Sequence, residues 1–107
     1  MSSKIYCIAQ FQPKADKEKE LFKVLQSLEP NTLREDGCIQ YRVTKQIKNS
    51  FAEGKSMPIV FNEIWENVEA FERHCQRDEI VNFFNTYCLA KDGLAEDWNV
   101  TVYTDEP

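Results

Sequence analysis

Apolar residues recur along the chain with two periods, close to two and close to 3.6, and the alternation between them predicts an order of elements. The first run, KIYCIAQF at residues 4–11, is rich in β-branched and aromatic residues and is followed by Pro13, which cannot donate to a ladder, so it predicts a strand. In ADKEKELFKVLQSL, residues 15–28, Leu21, Val24, Leu25 and Leu28 fall at i, i+3, i+4 and i+7. That spacing places them on one face of a helix, with Asp16 positioned to favour the first turn. Pro30 removes a backbone donor and disfavours helix at Glu29, so a kink or restart is expected there. The helix is then expected to continue through NTLRE and stop at Asp36 and Gly37, the glycine acting as a left-handed cap.

In CIQYRVTKQI, residues 38–47, Ile39, Tyr41 and Val43 alternate with Gln40, Arg42 and Thr44, the period of a strand with one buried face. The loop KNSFAEGKSMP, long for a hairpin and broken by Gly54 and Pro58, leads to a third strand, Ile59–Trp65. The two strands are expected to pair antiparallel. Asn67 suits the N-cap of VEAFERHC, in which Val68, Phe71 and Cys75 would share a face. Asp78 would cap a second helical piece, EIVNFFNTYCLAK, whose Ile80, Phe83, Phe84, Tyr87 and Cys88 form a broad apolar stripe before Asp92 and Gly93 end it. Residues 97–104 give the last strand, Trp98, Val100 and Val102 alternating against Asn99, Thr101 and Tyr103.

The resulting order, β-α-β-β-α-β, is the split-βαβ pattern of ferredoxin-like α+β folds, a four-stranded antiparallel sheet with its helices on one face. Such a sheet, apolar on both faces, would expose a large patch if its second face stayed in water. A homodimer formed by face-to-face pairing is therefore expected, the alternative being a monomer with an unusually polar outer face.

The 107 residues fit one domain, 1–107, without internal repeats or low-complexity segments. A formal charge of −5 with no cationic block argues against nucleic acid as a partner. No apolar run approaches the ~20 residues that span a bilayer, and the amino terminus becomes charged too soon for a signal peptide, so no membrane partner and a cytoplasmic location are expected. Cys7, Cys38, Cys75 and Cys88 lie far apart without C-x-x-C pairing, which reads as reduced, mostly buried thiols rather than disulfides or a metal site. Only Gly37, Gly54 and Gly93 occur, so there is no phosphate-cradling loop and no support for flavin or nicotinamide. No serine or cysteine has the setting of a hydrolase nucleophile. Neither metal nor cofactor is expected.

The candidate chemistry gathers near FNEIWENVEAFERH, residues 61–74. Strand alternation puts Phe61, Glu63 and Trp65 on one face, so Glu63 sits between two aromatics and must pair, accept hydrogen bonds or rise in pKa. An ion pair with Arg42 or Arg73 is the structural explanation; a functional carboxyl is the other. His74, the chain's one histidine, stands at the edge of the helix stripe near Phe71. There it is either a structural histidine or a proton carrier beside a cleft.

These stretches carry a resemblance. EDGCIQYRV is similar to the helix-end, Gly-Cys and strand-Tyr segment of the antibiotic biosynthesis monooxygenase family, and FNEIWENVEAFERH resembles its Glu-x-Trp strand followed by a helix ending in His; the likeness runs over residues 4–104. It implies a dimeric α/β barrel with a pocket between sheet and helices in each subunit. For characterised members it also implies oxygenation of quinol-like or polyketide-like aromatics without metal or flavin. On this resemblance Glu63, Trp65 and His74 are the catalytic set, with His74 the base and Trp65 a wall of the pocket. Tyr41, Gln10, Phe71 and Phe84 are the expected substrate contacts. Haem-degrading relatives carry an Asn on the first strand where this chain has Gln10, which disfavours haem. Two alternatives remain at this level: a dimer that binds a small ligand without turnover, and an isomerase of a small phosphorylated metabolite. The latter would need some of Arg34, Arg42, Arg73 and Arg77 to form a basic pocket.

Overall fold

The computed structural model describes residues 3–107. Its elements follow the order β1 (Ile5–Pro13), α1 (Glu18–Ser27), α2 (Glu29–Leu33), β2 (Cys38–Lys45), β3 (Ile59–Trp65), α3 (Val68–Cys75), α4 (Asp78–Phe83), a π-helical turn (Phe84–Leu89) and β4 (Ala95–Thr104). The strands form one antiparallel sheet in the order β2-β3-β1-β4. This is the ferredoxin-like α+β arrangement, with the strand that leads into the helical segment of each half, β1 and β3, lying side by side in the middle.

Strict alternation builds the core. Ile5, Cys7, Ala9 and Phe11 of β1, Tyr41 and Val43 of β2, and Ile59, Phe61, Glu63 and Trp65 of β3 all turn to one face and are buried there. Leu21 and Leu25 of α1, Ala70 and His74 of α3, and Ile80 and Phe83 of α4 cover them. Each large apolar side chain withdrawn from water contributes about 1.5–3 kcal/mol, so this inner layer is the principal source of stability. Among the described residues no helix covers the opposite face. There Tyr6, Ile8, Val60 and Ile64 lie half-buried beside Gln10 and Asn62.

Several expected boundaries move, each for a local reason. Asp16 does not enter the first turn of α1: it takes φ 63°, a left-handed value, in the turn closed by the Lys17 N–H on the Lys14 carbonyl at 3.0 Å. The helix starts two residues later. The break at Pro30 is present, Leu28 closing α1 and Pro30 sitting in the first turn of α2. However, α2 stops at Leu33 rather than reaching Asp36. Gly37 is left-handed (φ 85°), and a Cβ there would come within 2.6 Å of the Ala70 Cβ. Glycine is thus needed both for the turn and for the close approach of α3, which the Glu66 N–H fixes by donating to the Gly37 carbonyl at 2.8 Å.

In β2 the register shifts between Cys38 and Gln40, so Ile39 leaves the inner face and is 49% exposed, contrary to the simple alternation. Asn67 caps α3 as expected, its side chain accepting from the Ala70 N–H at 2.9 Å. The buried face of α3 is nevertheless Ala70 and His74, while Val68 and Cys75 are exposed. Asp78 is not a cap: Arg77 holds that position without a side-chain bond, and Asp78 is the first helical residue. The π-helical turn then lets Phe83 and Cys88 face the core five positions apart, a spacing that a regular helix would not align. Trp98, Val100 and Val102 lie opposite Phe11, Ala9 and Cys7, on the helix side of the sheet. Val100 and Val102 stay exposed all the same. Among the described residues no helix is long and apolar enough to cross a membrane. All four cysteines are free.

Candidate active site

Between the inner sheet face and the helices lies a cavity lined mainly by apolar groups, among them Phe11, Leu25, Leu28, Phe61, Phe71, Ile80, Phe83 and Phe84. Tyr41, Glu63 and His74 are its polar side chains, with the Cys7 and Cys75 thiols beside them. The cavity leaves about 40 Å³ of free space, room for a few waters. No lysine or arginine lines it.

His74 is 4% exposed and held from behind. Its Nδ1 lies 2.9 Å from Glu35 Oε2, and the same oxygen accepts from an Arg77 Nη1 at 2.6 Å. As the carboxylate partner of Arg77, Glu35 is an acceptor, so the ring proton is assigned to Nδ1 and the lone pair to Nε2. Ring contacts fix the plane: Tyr41 stands edge-on with centroids 5.2 Å apart, and the Trp65 ring is tilted against it at 4.5 Å. Burial holds His74 below its ordinary pKa, and the hydrogen bond and charge of Glu35 only partly offset this. At neutral pH the ring is therefore uncharged, with one nitrogen already committed.

Glu63 is 5% exposed, and among the described residues no cation pairs with it. The Trp65 indole N–H donates to its Oε1 at 3.0 Å. Burial raises the carboxyl to about 7; hydrogen bonds from Trp65 and from the Cys7 thiol pull it down, and the negative charge of Glu35 adds to the rise. Tyr41 stacks on Phe61 with centroids 4.2 Å apart. Burial raises its hydroxyl pKa first and Glu63 second, so it is a neutral hydrogen-bonding group here. The adjoining Thr32 hydroxyl, which has no bond of full geometry, acts weakly the other way. The Cys7 thiol is likewise raised by burial and then by Glu63, which keeps it protonated and unreactive.

Of the residues picked out in the sequence, Glu63, His74, Tyr41, Phe71 and Phe84 meet at this cavity. Trp65 does not wall it: fully buried, it lies behind the lining against His74, Phe71 and Tyr41. Its contact with the site is the bond to Glu63. Gln10 is not a cavity residue at all. It sits opposite Val60 on the uncovered face, where its side-chain carbonyl accepts from Ser56 Oγ at 2.8 Å and the Met57 N–H at 3.1 Å, pinning the β2–β3 loop. The ion pair of Glu63 with Arg42 or Arg73 does not form; Arg42 instead lies 3.9 Å from Glu29. His74 stands in the middle of the buried face of α3, not at its edge. Glu35 and Arg77 were not expected as a pair behind the histidine. Their contact spans 42 positions, and Glu35 lies in the turn between α2 and β2, where no period marks it.

The family model of antibiotic biosynthesis monooxygenase matches residues 4–86. No curated protein matches the chain. A solved protein from Shewanella oneidensis is 30% identical, with 97% of this chain and 92% of that one covered, at a TM-score of 0.78. One from Methanosarcina mazei is 25% identical, with 94% and 91% covered, at 0.74. A protein of Bacteroides fragilis, described as dimeric and of ferredoxin-like fold, is 13% identical and superposes at 0.70, with 94% and 95% covered. The family match runs from β1 through α4 and takes in Glu35, Glu63, His74 and Arg77, and this chain belongs to the antibiotic biosynthesis monooxygenase family.

Proposed function

We propose that this protein is a cofactor-independent monooxygenase that oxidises a small, electron-rich, quinol-like or polyketide-like aromatic with dioxygen. The observation that carries the reading is His74, neutral, held at Nδ1 by Glu35 and lining an apolar cavity. Once such a base removes a phenolic or enolic proton, the substrate itself can reduce dioxygen. The protein then has to position the ring, accept the proton and exclude water. Tyr41 supplies a neutral hydrogen bond to a substrate oxygen. Phe71 and Phe84, the half-buried aromatics of the lining, are the groups that turn aside to admit a ring into a cavity this small.

An isomerase of a phosphorylated metabolite is disfavoured by the lining: Arg34, Arg42 and Arg73 are exposed, and Arg77 is committed to Glu35. We also propose a cytoplasmic homodimer. The free thiols suit a reducing compartment. The half-buried Tyr6, Ile8, Val60 and Ile64 on the uncovered sheet face suit a second copy. A monomeric mass by light scattering at micromolar concentration would overturn the pairing.

The functional test is oxygen consumption by metal-free protein over a panel of hydroquinones and anthrone-like ketones, beside His74→Ala. Uptake above the spontaneous rate, lost in the variant, supports the oxygenase. Absence of uptake across the panel overturns it in favour of a ligand-binding dimer.

A further inference from the structure

We propose that Glu63 is a second catalytic group of this cavity, the acid that hands a proton to the departing oxygen of a substrate hydroperoxide. The inference rests on the oxygenase reading above and adds the step that follows oxygen addition.

The geometry supplies the first argument. Oxygenation of an activated CH2 group to a carbonyl needs two proton carriers that differ in state, a base without its proton and an acid with one. His74 and Glu63 line the same cavity, come from α3 and β3, and are each more than nine-tenths buried. Trp65 occupies Oε1 of Glu63 as a donor. Among the described residues the Cys7 thiol is the one other side chain whose hydrogen bond bears on this carboxyl. A carboxyl buried for ion pairing would have a cation beside it, and this one has none.

The neighbours on every side point the same way. Cys7 on β1, Tyr41 on β2 and Cys75 on α3 are neutral groups whose own pKa values Glu63 raises, and Glu35, in the turn before β2, is negative. Arg77, whose charge acts on His74, is held by Glu35 and does not pair with Glu63. With burial as the main cause, the carboxyl reaches about 7 and keeps a substantial protonated fraction at neutrality.

The step balances without any further reactant. His74 takes a proton from the substrate CH2, and the resulting enolate adds dioxygen at carbon, forming a C–O bond. The new peroxide takes that proton back from His74. His74 then removes the remaining C–H proton, the C–H electron pair becomes the carbonyl, the O–O bond breaks, and the departing oxygen leaves as water with the proton of Glu63. Protonated His74 restores Glu63 through the cavity. The sum is CH2 plus dioxygen to C=O plus water, the substrate carbon giving four electrons to dioxygen.

The test compares wild type with Glu63→Gln on an anthrone-like ketone, measuring oxygen uptake, carbonyl product and peroxide in the same reaction. The amide keeps the shape and an acceptor for Trp65 but cannot donate a carboxyl proton. Carbonyl formation should fall ~10²-fold, oxygen uptake should fall by less, and peroxide or hydroperoxide per oxygen consumed should rise. In wild type the product-forming step should slow as pH rises through about 7, and the variant should lack that limb. A merely structural role would lower uptake and product together and leave the pH limb in place. If wild type consumes oxygen and Glu63→Gln forms carbonyl at an unchanged rate or ratio, this assignment is overturned and the oxygenase stands. If wild type consumes no oxygen, both fall together.

Discussion

Two carboxylates bear on the same cavity, Glu63 lining it and Glu35 behind His74, and they are treated in opposite ways. Glu35, at the turn into β2, touches both Arg77 and His74, at 2.6 and 2.9 Å. Glu63, in the middle of β3, meets an indole N–H, a thiol and aromatic rings. The residue type is the same; its surroundings decide whether it is paired with a cation or buried without one and pushed up in pKa. One consequence is that the pH dependence of the site comes from two limbs of different origin.

The largest effect expected from breaking this contrast is on the base. His74→Ala should lower oxygen uptake ~10³-fold, the contribution of a positioned general base, without altering the oligomeric mass.

Removing the buried ionisable carboxyl should be next. Glu63 has a folded pKa of about 7 against 4.5 unfolded. The stability linked to its protonated form is therefore fully present below pH 4.5 and is lost as pH rises through 7. Relative to wild type, Glu63→Gln should gain up to about 3 kcal/mol at pH 8 and nothing at pH 4, read from urea unfolding at the two values. A gain at pH 4 as large as at pH 8 would show that ionisation is not its source. His74 acts with the opposite sign. Its pKa is depressed, so its contribution is present above about 6.5 and lost as pH falls through the folded value.

Glu35→Ala tests the other carboxylate. It should cost ~10–100-fold in kcat, by freeing the ring and its tautomer, with little change in KM. Because Glu35 props up the His74 pKa, the acid limb of the rate profile should move to still lower pH in this variant. The smallest effect is expected at Gln10→Ala. This should leave kcat and KM within about twofold, as for a change outside the cavity, and should raise the proteolytic sensitivity of the β2–β3 loop that Gln10 pins.

How much could be seen beforehand differs between the fold and the site. Strand β3 matched its sequence bounds, and Phe61, Glu63 and Trp65 shared a face because a period of two allows nothing else. The amphipathic helix at Leu21, Leu25 and Leu28 followed the same logic. The failures were of another kind. Ile39 followed the alternation of β2 yet faced outward, because a bulge at its start reset the register. Gln10 was matched to a motif position, but its parity along β1 placed it on the uncovered face. Trp65, on the correct face, was pushed behind the lining by the bulk of Phe71 and His74 packed over it.

The sequence by itself determined the order of elements, the layer to which most side chains belong, and the presence of a single histidine nine residues after the Trp65 of a Glu-x-Trp strand, with Phe71 between them. Those are properties of spacing along the chain, and backbone geometry reads them locally. Only the tertiary structure decided which charges meet. Glu35 found His74 and Arg77 from 39 and 42 positions away, while Arg42 and Arg73 stayed clear of Glu63. Proton affinity depends on neighbours and desolvation through space, so the difference between the paired Glu35 and the buried, unpaired Glu63 exists only once the helices close over the sheet.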